Sequence, residues 1–107
     1  MNIEQERIDK SKAVLTLNGR LDTANAPLLE SKIKEQEDIT ELTLDFKGVD
    51  YISSMGLRVL LQAKKTMKSE GVRMTINNMR DSVREIFEIT GFLKLMARED
   101  EAPIQEP

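Results

Sequence analysis

The chain has 107 residues, 39% of them hydrophobic and 33% charged, with a formal net charge of −3; this suffices for one domain and leaves little room for a separate catalytic layer. It contains no histidine and no cysteine, which excludes a phosphohistidine carrier, thiol or Ser-His nucleophiles, thiolate zinc sites and disulfides. No stretch approaches the roughly 20 apolar residues of a bilayer span, and Met1 to Lys10 is too polar for a signal peptide.

In chain order, Ile3 to Ile8 and Ala13 to Leu17 read as strands joined by the polar turn Asp9-Lys10-Ser11-Lys12, a hairpin. Asp22 to Glu37 reads as the first helix, with Asp22 or Thr23 as its cap, Pro27 near its first turn and a stripe of Ala26, Leu29 and Ile33. Leu42, Leu44 and Phe46 alternate with Thr43 and Asp45, the period of a half-buried strand, and Asp50 falls in the loop after it. The period then changes: Leu57, Leu60, Leu61, Lys64 and Met67 share one stripe of a second helix, which closes at Ser69-Glu70-Gly71. Val72, Met74 and Ile76 make another strand. Asn78 starts a third helix with Met79, Val83, Ile86, Phe87 and Thr90 on its inner face, Asp81 in its first turn and Gly91 at its end. Leu93 and Leu95 suggest a short final strand. The expected class is α/β: a single domain over residues 1–97 with a mixed sheet of four to five strands and about three helices chiefly on one face. Residues 98–107, with one arginine against four acids, are expected to form an acidic, disordered tail.

That tail carries the whole net charge, so the folded part is neutral. With Phe46, Phe87, Phe92 and Tyr51 as its aromatics, it lacks the positive field and the stacking platform of a nucleic-acid binder, and no direct nucleic-acid contact is expected.

Ser53 and Ser54 stand where strand becomes helix. A serine there accepts a hydrogen bond from an orphan backbone N–H, and the positive end of the helix dipole tolerates added negative charge. Structural capping explains a serine at this place without any chemistry; phosphate acceptance is the functional alternative. Gly56, just inside the helix, costs about 1 kcal/mol relative to alanine, so its presence suggests that the turn needs room or that something, such as a partner protein, approaches the backbone closely.

The segment Asp45-Phe46-Lys47-Gly48-Val49-Asp50-Tyr51-Ile52-Ser53-Ser54-Met55-Gly56-Leu57 resembles the signature of the anti-sigma factor antagonists, the bacterial members of the STAS domain family. Leu17-Asn18-Gly19-Arg20-Leu21-Asp22 resembles the family's early strand followed by glycine and aspartate, and Val83 to Phe92 its last helix and closing Gly-aromatic pair. The resemblance covers roughly residues 1 to 97 in the family's order. It implies a STAS-like fold and a cytoplasmic regulator, not an enzyme, that needs no cofactor and no metal. It implies that the unmodified protein binds an anti-sigma factor serine kinase and so releases a sigma factor, that phosphorylation at Ser54 switches binding off, and that a phosphatase resets it. Adjacent Ser53 is the alternative acceptor; the sequence departs from the family there, where an acidic residue often stands, and at Met55, where a hydroxylated residue often stands. The implied partner surface comprises Asp22, Ser53, Ser54, Met55, Gly56 and Arg58. For Asp22, helix capping is the competing role. Arg58 lies one turn from Ser54, where i and i+4 side chains are neighbours; Lys64, Lys65 and Lys68 on the same wholly basic helix read as solvated lysines with buried stems.

Two other functions compete. A STAS accessory or scaffold subunit of a transporter or signalling complex would use the same fold without being phosphorylated. A small enzyme or phospho-receiver built on Asp45 and Asp50 lacks the clustered metal-binding acids, nucleophile-base pair or glycine-rich phosphate loop its chemistry requires.

Overall fold

The computed structural model describes residues 1–101, the last three as backbone alone. The first two strands pair as the hairpin expected: β1 (Asn2–Arg7) runs antiparallel to β2 (Lys12–Leu21). In their turn the Asp9 carboxylate accepts from the Ser11 N–H at 2.8 Å and from its hydroxyl at 3.1 Å. These bonds, the backbone one foremost, hold the Asp9 pKa below the ordinary carboxylate value. After the hairpin come α1 (Ala26–Lys34), β3 (Glu41–Ile52), α2 (Ser54–Ser69), β4 (Arg73–Asn77), α3 (Asp81–Ile89) and α4 (Phe92–Glu101). The sheet order is β1-β2-β3-β4, with β2, β3 and β4 mutually parallel.

Alternation decides which face the helices cover. Ala13, Leu15 and Leu17 of β2 and Leu42, Leu44 and Phe46 of β3 are buried, while Val14, Thr16, Thr43 and Asp45 between them are half-exposed. The core therefore lies on one side of the sheet, closed by Leu29 and Ile33 from α1, Leu57 and Leu60 from α2, and Val83 and Phe87 from α3.

Several expectations change. The final segment is a helix: Gly91 ends α3 with φ +78°, and the chain enters α4 directly, burying Met96 one turn on from Phe92. The alternation of Leu93 and Leu95 is too short to separate strand from helix. α4 also takes in residues 98–101, the start of the segment read as a disordered tail; residues 102–107 lie outside the described residues. Asn78 does not start the third helix, because its backbone is left-handed at φ +60° and its side-chain amide donates to Asp45 Oδ1 at 3.2 Å; Arg80 is the N-cap. Thr90, expected on the inner face, is the exposed C-cap and donates its hydroxyl to the Ile86 carbonyl at 2.7 Å.

A further change concerns β3. Asp50 belongs to this strand, not to a loop. Thr16 pairs with Asp45 but Asn18 with Gly48, and Gly19 pairs with Val49 but Arg20 with Tyr51, so β3 carries one extra residue at each of two steps. These bulges stretch the spacing of its buried residues to Phe46, Val49 and Ile52. Gly48 is required at the first, since a Cβ there would stand 2.9 Å from the Leu17 carbonyl oxygen and collide with the Asn18 side chain.

Another is Lys64, which is buried at 5% exposure and donates from Nζ to the Met74 carbonyl at 2.7 Å. Arg73 N–H bonds toward the Thr40 carbonyl on the β3 side, so the next residue, Met74, turns its carbonyl to the outer edge of β4. Lys64 satisfies that edge carbonyl in place of water.

Candidate functional site

The carboxyl ends of β2 and β3 meet the start of α2. The bulged register sets Leu21 beside Ile52, both buried, and therefore turns Arg20 and Tyr51 together toward the opposite face. There the Arg20 guanidinium carbon stands 4.1 Å from the centroid of the Tyr51 ring, a cation–π contact. The Ser53 N–H donates to the Leu21 carbonyl at 2.9 Å and fastens the turn to β2.

The two serines then part in role. Ser53 is extended, with φ −92° and ψ 169°, and its Oγ accepts from the Gly56 N–H at 3.1 Å, so it is the N-cap of α2. Ser54 is the first helical residue; it is exposed, and its hydroxyl makes no hydrogen bond among the described residues. The first turn of α2 contains no acidic side chain, which leaves the positive end of the helix dipole without a local offset.

Gly56 is buried, and a Cβ there would lie 2.9 Å from the Leu21 carbonyl oxygen and 3.0 Å from Ile52 Cγ1. The close approach that its sequence position implies is made by the chain's own β2. Met55 is 38% exposed, as an apolar side chain in the first turn of α2, and Arg58 is exposed one turn on from Ser54. Leu28, in the first turn of the neighbouring α1, is 41% exposed.

Asp22 lies just after β2. Its Oδ1 accepts from the Asn25 N–H at 3.0 Å and its carbonyl from the Ala26 N–H at 2.9 Å, so it shapes the turn ahead of α1, whose N-cap is Asn25. Neither Asp22 nor Thr23 is the helix cap. Arg20 Nε stands 4.0 Å from Asp22 Oδ2, with the arginine side chain 60% exposed; at that distance and exposure the pair contributes little stability. Asp22, Ser53, Ser54, Met55 and Arg58 thus share one end of the molecule with Gly56 beneath them. Arg20 and Tyr51 join this end although motif reading passes over them. Burial of Leu21 and Ile52 was the available signal, and pairing their neighbours requires the bulged register. Among the described residues no group of three or more acidic side chains is placed to hold a metal ion, and no helix is long and apolar enough to cross a membrane.

The STAS domain family model matches residues 2–105. The chain belongs to the STAS domain family. BtrV of Bordetella bronchiseptica, a candidate anti-sigma factor antagonist, is 36% identical over 97 residues, covering 89% of this chain and 83% of that protein. The solved structure of the unphosphorylated anti-sigma factor antagonist SpoIIAA superposes with a TM-score of 0.74 at 21% identity, over 85% of this STAS domain and 82% of that chain. A sulfate transporter family protein from Wolinella succinogenes superposes equally well, with a TM-score of 0.75 at 16% identity, over 88% and 78% of the two chains. The two solved structures share the fold of this chain.

Proposed function

We propose that this protein is an anti-sigma factor antagonist that binds an anti-sigma factor serine kinase while Ser54 is unmodified, releases a sigma factor by doing so, and lets go when Ser54 is phosphorylated. The observation that supports it is the division of labour between the serines: the Ser53 oxygen is engaged by the Gly56 N–H, whereas the Ser54 hydroxyl is exposed and makes no hydrogen bond among the described residues. Attack of Ser54 Oγ on the γ-phosphorus of ATP forms a phosphoester, expels ADP and gives the hydroxyl proton to a base on the kinase. The use of ATP assigns the exchange to the cytoplasm, and a phosphatase returns the serine by hydrolysis.

The fold tolerates the product. A phosphoserine carries about −1.5 to −2 charges, and at the first position of α2 it meets the positive dipole end and the free N–H groups of the first turn. In a docked interface the same group has to be desolvated and repels nearby carboxylates, so the complex weakens without any large conformational change. Met55 and Leu28 offer apolar contact beside it, and Arg58 a positive charge that speeds encounter in low salt.

The test is incubation with the partner kinase and ATP, followed by mass spectrometry of the phosphosite. Phosphate on Ser54, a Ser54→Ala variant that stays bound unmodified, and a Ser54→Asp variant that folds normally but binds weakly are the expected results. Phosphate on Ser53, or full affinity in Ser54→Asp, overturns the mechanism. The superposition on the sulfate transporter family protein favours a second reading, an unphosphorylated accessory subunit. That role predicts binding to its partner with no uptake of phosphate at all.

A further inference from the structure

Arg58 stands one turn along α2 from Ser54, and both residues are exposed. Four residues of a helix advance about 6 Å and turn about 40° past a full circle, so the two share a face. Side chains of a helix also lean toward its N-terminus, which carries a residue at this position back over the turn that holds Ser54. Arg58 forms no salt bridge or ring contact among the described residues, and α2 contains no acidic residue from Ser54 to Ser69. Arg20, at the same end of the molecule, is engaged instead, 4.1 Å from the Tyr51 ring and 4.0 Å from Asp22 Oδ2.

We infer that Arg58 is the contact the switch exchanges: its guanidinium bonds a carboxylate of the kinase while Ser54 is unmodified, and the phosphate on Ser54 afterwards. This rests on the proposed role of Ser54 as phosphate acceptor. A guanidinium takes a carboxylate or a phosphate through two parallel N–H bonds, and the same pair of N–H groups serves one such anion at a time. An anion at i with a cation at i+4 is the favourable order on a helix, and a phosphoserine brings up to about twice the charge of a carboxylate. Because the phosphate is tethered to the same helix, it competes at high effective concentration with a carboxylate that arrives on another chain. Phosphorylation thus withdraws a cation as well as adding an anion, and the kinase carboxylate is left in the interface without its partner.

The experiment places the phosphate on Ser54 by genetic incorporation of phosphoserine into the full chain, independently of any kinase, and follows it by phosphorus NMR as the pH is raised. A nearby cation favours the dianion, so the second ionisation, ordinarily at about pH 6, should move about half a pH unit higher in Arg58→Gln. Lys65→Gln lies eleven positions from Ser54, about 16 Å by helical rise and beyond the screening length at about 0.15 M salt, and should leave the ionisation in place. Binding of the unmodified chain to the kinase should weaken about tenfold in Arg58→Gln, the loss of one charge-assisted contact. An unchanged titration in Arg58→Gln, an equal change in Lys65→Gln, or full affinity in unmodified Arg58→Gln overturns the exchange and leaves Ser54 as the acceptor. Failure of the kinase to phosphorylate Ser54 overturns the role of the serine itself, a result that the installed phosphoserine cannot produce.

Discussion

From Glu41 to Phe46, β3 alternates regularly between buried and half-exposed residues and pairs with both neighbours, whereas from Lys47 to Ile52 it pairs with β2 alone and carries two extra residues. The regular half makes core. The irregular half aims side chains. Had the offset that pairs Thr16 with Asp45 continued unbroken, the buried Leu21 would stand beside Asp50 and Arg20 beside Val49. The two bulges instead bring Ile52 to Leu21 and Tyr51 to Arg20, and they end the strand where the Ser53 N–H reaches the Leu21 carbonyl. The serine turn is placed by irregularity in the strand that precedes it.

That contrast is open to attack by mutation. In the regular half, Phe46→Ala should cost about 3–5 kcal/mol in urea unfolding without moving the folded-state signals of the serine turn. Gly48→Val should cost less, about 1–3 kcal/mol from overpacking, because its side chain meets the Leu17 carbonyl and Asn18. It should also displace the amide signals of Arg20, Tyr51 and Ser53; a variant that loses stability with those signals unmoved would separate the bulge from the site. At the turn itself, Ser53→Ala removes the bond to the Gly56 N–H and should cost about 1 kcal/mol, while Ser54→Ala should stay within about 0.5 kcal/mol. Equal losses in the two would break the division of labour between the serines. Smallest of all, Tyr51→Leu removes the contact with Arg20 and should cost about 0.5–1 kcal/mol at an exposed site, read best as greater mobility of the Arg20 side chain by NMR.

The same contrast explains what could be read from the residues. Where period and burial agree, as in the hairpin, in Leu42 to Phe46 and in the stripe from Leu57 to Met67, pattern alone finds the element. Asp50 escapes because a bulge replaces the period of two by steps of three, which look like the end of a strand. Asn78 escapes because a left-handed residue held by Asp45 delays the helix, a contact across 33 positions that local pattern does not contain. Lys64 looks solvated because lysines on a helix usually are; its burial depends on an edge carbonyl that exists only once β4 has paired. Of the site, the serines and Asp22 are visible as motif residues, but which serine caps α2 depends on a single backbone angle and one hydrogen bond.

Lys64, reaching from α2 to the edge of β4, also gives the sheet a polarity of growth. With the Met74 oxygen already taken, a strand from another chain meets an obstructed flank on that side, and recruitment has to begin along Asn2–Arg7. There Glu4, Glu6 and Arg7 stand exposed as gatekeepers, so the two flanks resist fibril extension by different means, one with a tethered ammonium and the other with solvated charge.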